Sequence, residues 1–103
     1  MANYVLAYSG GSMPETEQAG AALMAAWGAW LGGLGDAVVD GGNPFGASAS
    51  VASDGSVTDA GTSALTGYSI VKAGSLGEAT TLVKDCPALS SGGAVDVYET
   101  VDM

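Results

Sequence analysis

The sequence of 103 residues contains no histidine, and its only basic side chains are Lys72 and Lys84. Together with eleven acidic residues they give a formal net charge of -9. Nucleic-acid binding needs basic side chains on the phosphates, so this balance argues strongly against a nucleic-acid partner. The absence of imidazole also removes the base on which Ser-His-Asp and Cys-His catalysis depend.

Cysteine is nearly absent, since Cys86 is the only one. It has no partner for an intramolecular disulfide, and with no histidine beside it a zinc site is not expected. The spacing of Asp54 and Asp59 does not match a calcium-binding EF-hand loop. We therefore predict neither a metal nor a cofactor. The start of the chain has no charged segment followed by a signal-like apolar run, which favours a cytoplasmic protein.

A membrane-spanning run is also missing, although residues 19–35 contain no charged side chain. A span needs about 20 apolar residues, whereas this stretch is mostly Ala and Gly and has no Lys or Arg at its ends. Leu23, Trp27, Leu31 and Leu34 instead recur at the spacing of one apolar helix face. We predict a helix packed on a core through this face, with Trp30 outside it.

The remaining sequence alternates between strand and helix patterns. Strands are predicted at 3–8, 36–40, 66–73 and 94–101, and helices to about Leu34 and over 76–86, with a small hairpin within 45–65. The first helix has Ser12 or Thr16 as its cap, and Ser75 and Glu78 form a capping box for the second. The order predicts one α+β domain, 1–103, with a ferredoxin-like βαββαβ fold, an antiparallel sheet and an extra hairpin between strands 2 and 3.

Two helices can cover only one face of such a sheet. We expect the opposite face to carry a set of large apolar side chains: Tyr4, Leu6, Tyr8, Val38, Tyr68, Ile70 and Tyr98. An exposed apolar patch of this kind usually marks an interface, and most homo-oligomers are two-fold dimers. We therefore predict a homodimer through the open sheet face.

Four segments carry a resemblance to a known family: YVLAY, GDAVVDGGNP, GYSIVKAGSLGEATTLVKDCP and GGAVDVYE. Together they resemble the YCII-related family of the dimeric α/β barrel superfamily over nearly the whole chain. The resemblance implies a ferredoxin-like protomer that forms a barrel with a second copy. It also implies a cleft between the sheet and the loops near the first helix.

The resemblance does not carry catalysis with it. Enzymatic members of the family are associated with a histidine near the first helix, and that place falls here near Leu23 or Met24. A second signature, Asp-Gly-Pro-Phe, is replaced by residues 59–62, which read Asp-Ala-Gly-Thr. We therefore expect no histidine-dependent activity.

Binding of a small molecule in the cleft is the function we predict, with Tyr8, Asp40, Asn43, Tyr68 and Tyr98 as ligand-binding residues. One alternative is a lyase or isomerase in which a desolvated Asp40 is the general base. Against it, Asp40 also fits a solvated aspartate at a strand end. A second alternative is a purely structural dimeric interaction module, because dimer packing would explain the tyrosines as well.

Overall fold

The structure is a computed structural model, and it describes residues 1–11, 15–58 and 65–102. Its elements are, in chain order, β1 (Ala2–Gly10), α1 (Glu17–Leu34), a 3₁₀ turn (Gly35–Ala37), β2 (Val38–Asp40), β3 (Ser50–Val51), β4 (Val57–Thr58), β5 (Leu65–Ala73), α2 (Leu76–Val83), α3 (Pro87–Ser90) and β6 (Gly93–Glu99). The predicted cap at Ser12 and the predicted signature site at 59–62 lie outside the described residues.

The main sheet has the strand order β2-β5-β1-β6, and every neighbouring pair is antiparallel. Strands β3 and β4 form a separate two-stranded hairpin. It lies between β2 and β5, which correspond to the second and third predicted strands, as the sequence indicated. Its turn is held by Asp54, whose Oδ1 accepts from both the backbone N–H and the hydroxyl of Ser56. This α+β arrangement is compatible with the predicted ferredoxin-like fold.

Helix α1 has the two ends that the sequence indicates. The Thr16 hydroxyl oxygen accepts from the Ala19 N–H at 3.0 Å, which satisfies one free amide of the first turn. Gly35, at φ 56°, closes the helix by donating its N–H to the Gly32 carbonyl. The left-handed backbone at Gly35 explains why the helix stops there, because glycine adopts it without steric cost.

The predicted core face of α1 is wrong at its centre. Trp30 is the one buried residue of the helix, and its indole N–H donates to the Leu82 carbonyl at 3.1 Å. Trp27 is only partly buried, as are the other members of the predicted apolar face. Periodicity locates an apolar side of a helix within a wide arc, and packing against α2 decides which residue lies at its centre.

Helix α2 begins as predicted and ends early. Ser75 Oγ accepts from the Glu78 N–H at 3.1 Å, and Glu78 Oε2 accepts from the Gly74 N–H at 2.8 Å. The helix ends at Val83, whereas the prediction extended it to residue 86. Pro87 starts the short helix α3 instead, because a fixed φ suits the first helical position.

The predicted composition of the open sheet face is wrong in part. Tyr4 pairs with Val71, Leu6 with Ser69 and Tyr8 with Gly67 across the antiparallel ladder, and paired residues share a face. Tyr4, Leu6 and Tyr8 are buried in the core together with residues of the helices, so they lie on the helix-covered face. Val38 pairs with Val71 and lies there too.

The opposite side of the sheet, called the open face below, carries the alternate residues of the same strands: Val5, Ala7, Ile70 and Tyr98. Tyr68 is on this side by its pairing with Ala7, but it is near the start of β5 and also lines the cleft described below. The two sides of β1 are both apolar. Alternation alone therefore could not indicate which side the helices cover.

No helix within the described ranges combines the length and the hydropathy that a membrane span requires.

Candidate functional site

A cleft of about 700 Å³ opens between the N-terminal half of α1 and one end of the sheet. Its walls come from the end of β1, from α1, from the segment after β2, from the start of β5 and from the region of α3. The lining residues are Tyr8, Ser9, Gly10, Gly11, Leu23, Met24, Trp27, Gly41, Gly42, Asn43, Pro44, Phe45, Leu65, Thr66, Gly67, Tyr68, Ser69, Ala88 and Ser91. None of these side chains is charged.

Aromatic rings form much of this lining. The Tyr8 and Trp27 rings meet edge to face, with centroids 5.0 Å apart. Trp27 also meets Trp30 edge to face at 5.7 Å, which ties the cleft to the core behind it. Phe45 stacks on Tyr68 with centroids 5.8 Å apart. Paired rings of this kind restrain each other, so the lining is largely preformed.

A chain of hydrogen bonds joins three separate parts of the lining. The Tyr8 hydroxyl donates to Ser69 Oγ at 2.8 Å, and the Ser69 hydroxyl donates to the Gly41 carbonyl at 2.7 Å. Tyr8 and Ser69 are 7% and 1% exposed, so both residues are buried although they line the cleft. Burial raises the pKa of Tyr8 to about 12 and outweighs the hydrogen bond to Ser69, which lowers it. Tyr8 is therefore a neutral phenol at ordinary pH.

The segment after β2 runs closely along the start of β5. The Phe45 N–H donates to the Thr66 carbonyl at 2.8 Å, and the Tyr68 N–H donates to the Asn43 carbonyl at 3.3 Å. Gly42 has a φ of 78°, and a Cβ there would collide with the Tyr68 carbonyl oxygen. The Gly-Gly-Asn-Pro stretch predicted as a turn thus also builds a wall of the cleft.

Asp40 organises this wall from outside the cleft. Its Oδ1 accepts from the Gly42 N–H at 2.8 Å, and its Oδ2 accepts from the Tyr68 hydroxyl at 3.4 Å. The residue is exposed and is not part of the lining. This geometry is that of a side chain fixing a tight turn, and it lacks the desolvation that we expected of a general base.

The structure therefore separates the five predicted ligand-binding residues. Tyr8, Asn43 and Tyr68 line the cleft, and Asp40 supports its wall. Tyr98 is 59% exposed on β6 and belongs to the open face.

Sequence reasoning missed Trp27, Phe45 and Ser69 as lining residues. Trp27 has the same spacing as a core residue, and Ser69 acquires its role from a contact with Gly41, 28 residues away. Leu23 and Met24 also line the cleft. The one signal for them was the resemblance, which implied a functional position near these two residues.

Cys86 is a free cysteine that packs in the core. It is buried in the core, and burial raises the pKa of its thiol against the smaller effect of a hydrogen bond from the Ala88 N–H. Cys86 is the residue that immediately precedes α3. Among the described residues, no group of three or more His, Cys, Asp and Glu side chains is arranged to hold a metal ion.

A scan against protein-family models gives no match, and searches of curated proteins and of solved structures give none either.

Proposed function

We propose that this protein binds a small uncharged molecule with an aromatic or apolar surface in the cleft, without histidine-dependent catalysis. The observation that carries the proposal is a cleft of about 700 Å³ whose lining, among the described residues, has four aromatic members and no charged one, in a chain of net charge -9. Small-molecule sites typically occupy about 300–1,000 Å³ and are mostly apolar with a few polar groups.

The charge distribution selects against charged ligands. The described lining offers no cation to pair with a carboxylate or phosphate, and burying an unpaired charge is costly. The net charge of the chain also repels anions at longer range. A neutral ligand meets neither penalty, and it gains from contact with the rings of Trp27 and Phe45.

The cleft also has the polar groups that orient a ligand. Tyr8 lines one wall, and Asn43 lines another. The hydrogen bonds from Ser69 to Gly41 and from Phe45 to Thr66 hold these walls before any ligand arrives. Preorganisation of this kind lowers the entropic cost of binding.

Thermal unfolding in the presence of matched probe compounds tests the proposal. We expect an uncharged bicyclic aromatic compound to raise the midpoint of unfolding, and the corresponding carboxylate to leave it unchanged. Leu23→Arg places a charge in the lining and should abolish the shift. Val57→Arg is the matched control, because Val57 is 63% exposed on the separate hairpin. A shift that survives Leu23→Arg and disappears in the control would contradict the proposal.

We also propose that the open face is covered by a second copy, which would complete a dimeric α/β barrel. The molecule is only 18 Å thick in its shortest dimension, as expected for one sheet and one layer of helices. The open face carries Val5, Ile70 and Tyr98, and Tyr98 is 59% exposed. Two such apolar faces can pack against each other across a two-fold axis. This contact needs no salt bridges, which suits a chain with only two basic residues.

Sedimentation equilibrium tests the dimer. Tyr98→Asp places a charge on the open face of each copy and should shift the mass from dimer to monomer, because like charges would meet across the axis. Val101→Asp is the control, since Val101 follows β6 and is 77% exposed. A wild-type chain that remains monomeric at high concentration would overturn this part of the proposal.

A further inference from the structure

The hydrogen bonds behind the cleft have a fixed direction. The Gly41 carbonyl can only accept, so the contact of 2.7 Å between it and Ser69 Oγ requires the single Ser69 proton. Ser69 Oγ then has only lone pairs to offer at its contact of 2.8 Å with Tyr8. The Tyr8 proton must occupy that contact. The direction of the whole chain is therefore set by the Gly41 carbonyl.

One consequence concerns the Tyr8 oxygen. Its proton is used in the hydrogen bond to Ser69, and among the described residues no group donates a hydrogen bond to Tyr8. The hydroxyl therefore retains accepting capacity and no donating capacity. Since Tyr8, Ser69 and Gly41 all line the cleft, this wall offers a ligand a hydrogen-bond acceptor.

We infer that the cleft selects neutral aromatic molecules that carry a hydrogen-bond donor, an O–H or N–H group, which binds to the Tyr8 oxygen. This inference rests on the proposed function and adds the chemical class of the ligand. Carboxylates are disfavoured twice, because they bring a charge into an uncharged lining and place an acceptor against an acceptor. A neutral ether meets only the second of these penalties.

The protonation state of Tyr8 supports this assignment. Because burial raises its pKa to about 12, the hydroxyl keeps its proton at neutral pH and the chain of hydrogen bonds stays in one direction. Tyr8 therefore binds and orients the donor without removing its proton.

Three naphthalene derivatives of similar shape provide the test: 2-naphthol, its methyl ether and 2-naphthoate, titrated calorimetrically at pH 7. A neutral hydrogen bond contributes modestly, so we expect 2-naphthol to bind about three- to tenfold more tightly than the ether. The carboxylate should bind most weakly. Tyr8→Phe should remove the preference for 2-naphthol while leaving the affinity for the ether unchanged.

Tyr98→Phe is the matched control. It removes a hydroxyl from a tyrosine that is 59% exposed on the open face and does not line the cleft, so the preference should persist. Ser69→Ala is a second, independent variant. It releases the Tyr8 proton, which lets Tyr8 donate as well as accept, and the preference for 2-naphthol should again disappear.

The outcomes separate this inference from the proposed function. If none of the three compounds binds, the proposed function fails and the inference fails with it. If 2-naphthol and the ether bind equally to the wild-type chain, binding stands and the inference is overturned. The inference is also overturned if Tyr8→Phe, folded as judged by its circular dichroism, keeps the preference. If Tyr8→Phe does not fold, a preference that persists in Ser69→Ala overturns it.

Discussion

Helices α1 and α2 cover the same sheet in different ways. The eight residues of α2 bury two side chains, Ala79 and Val83, and a capping box fixes its start. The eighteen residues of α1 bury one, Trp30. The C-terminal half of α1 is anchored in the core, whereas Leu23, Met24 and Trp27 line the cleft.

The difference shows how a short chain combines stability with a site. Helix α2, with Ala79 and Val83 buried one turn apart, does not line the cleft. Helix α1 is held at Trp30 by packing and by one hydrogen bond to the Leu82 carbonyl, which connects it to α2. The N-terminal half of α1 can then form one wall of the cleft. Trp27 marks the transition, because it touches both Trp30 and Tyr8.

Removing the anchor should have the largest effect on this arrangement. We expect Trp30→Ala to lower the free energy of unfolding by about 3–5 kcal/mol, because it leaves a cavity and an unpaired Leu82 carbonyl. Chemical denaturation measures this loss. A loss below about 1 kcal/mol would mean that α1 is not anchored at Trp30.

Raising the pH should lower the free energy of unfolding by a smaller amount, through the ionisation of Tyr8. Tyr8 has a pKa of about 12 in the folded chain and 10.0 as its ordinary value, so folding favours its protonated form. This contribution is complete below pH 10 and is lost as the pH rises toward 12. Stability measured over this window should fall less steeply in Tyr8→Phe. Tyr4, whose pKa burial also raises, is present in both chains and cancels. Equal slopes would contradict the buried environment of Tyr8.

Trp27→Ala should separate the two halves of α1. We expect a loss of about 1–2 kcal/mol in stability, less than for Trp30, because Trp27 is only partly buried. Binding of 2-naphthol should fall much more, since the aromatic lining is lost. Denaturation and calorimetry on the same variant measure both effects. If stability falls as far as in Trp30→Ala while binding is unaffected, the division of α1 at Trp27 is wrong.

The smallest effect is expected at the start of α2. Ser75→Ala removes the acceptor for the Glu78 N–H and should cost about 1 kcal/mol in stability without changing binding, because α2 does not line the cleft. Reduced affinity for 2-naphthol in this variant would indicate that the two helices are coupled.

Local patterns predicted most of the elements. The caps at Thr16 and Ser75, the glycine at the end of α1 and the main strands depend on residues close in sequence, so they could be predicted. The ends of α2 and β2 were less accurate, since the predicted strand over 36–40 begins as a 3₁₀ turn.

Features set by distant contacts could not be predicted in this way. Both sides of β1 are apolar, so only the burial of Tyr4 and Leu6 together with residues of the helices reveals which side is covered. The choice between Trp27 and Trp30 as the centre of the core face depends on where α2 lies. The contacts of Asp40 with Gly42 and Tyr68 also could not be predicted from the sequence.

Titration of the ¹⁵N-labelled protein with 2-naphthol, followed by two-dimensional NMR, is the direct test of ligand binding in the cleft. We expect shifts of the Trp27 indole N–H and of the amides of Gly41, Gly67 and Ser91, which line the cleft from four parts of the chain. The amides of the separate hairpin at Val51 and Val57 should not move. An unchanged spectrum, or shifts confined to β6 and the open face, would contradict a binding site in the cleft.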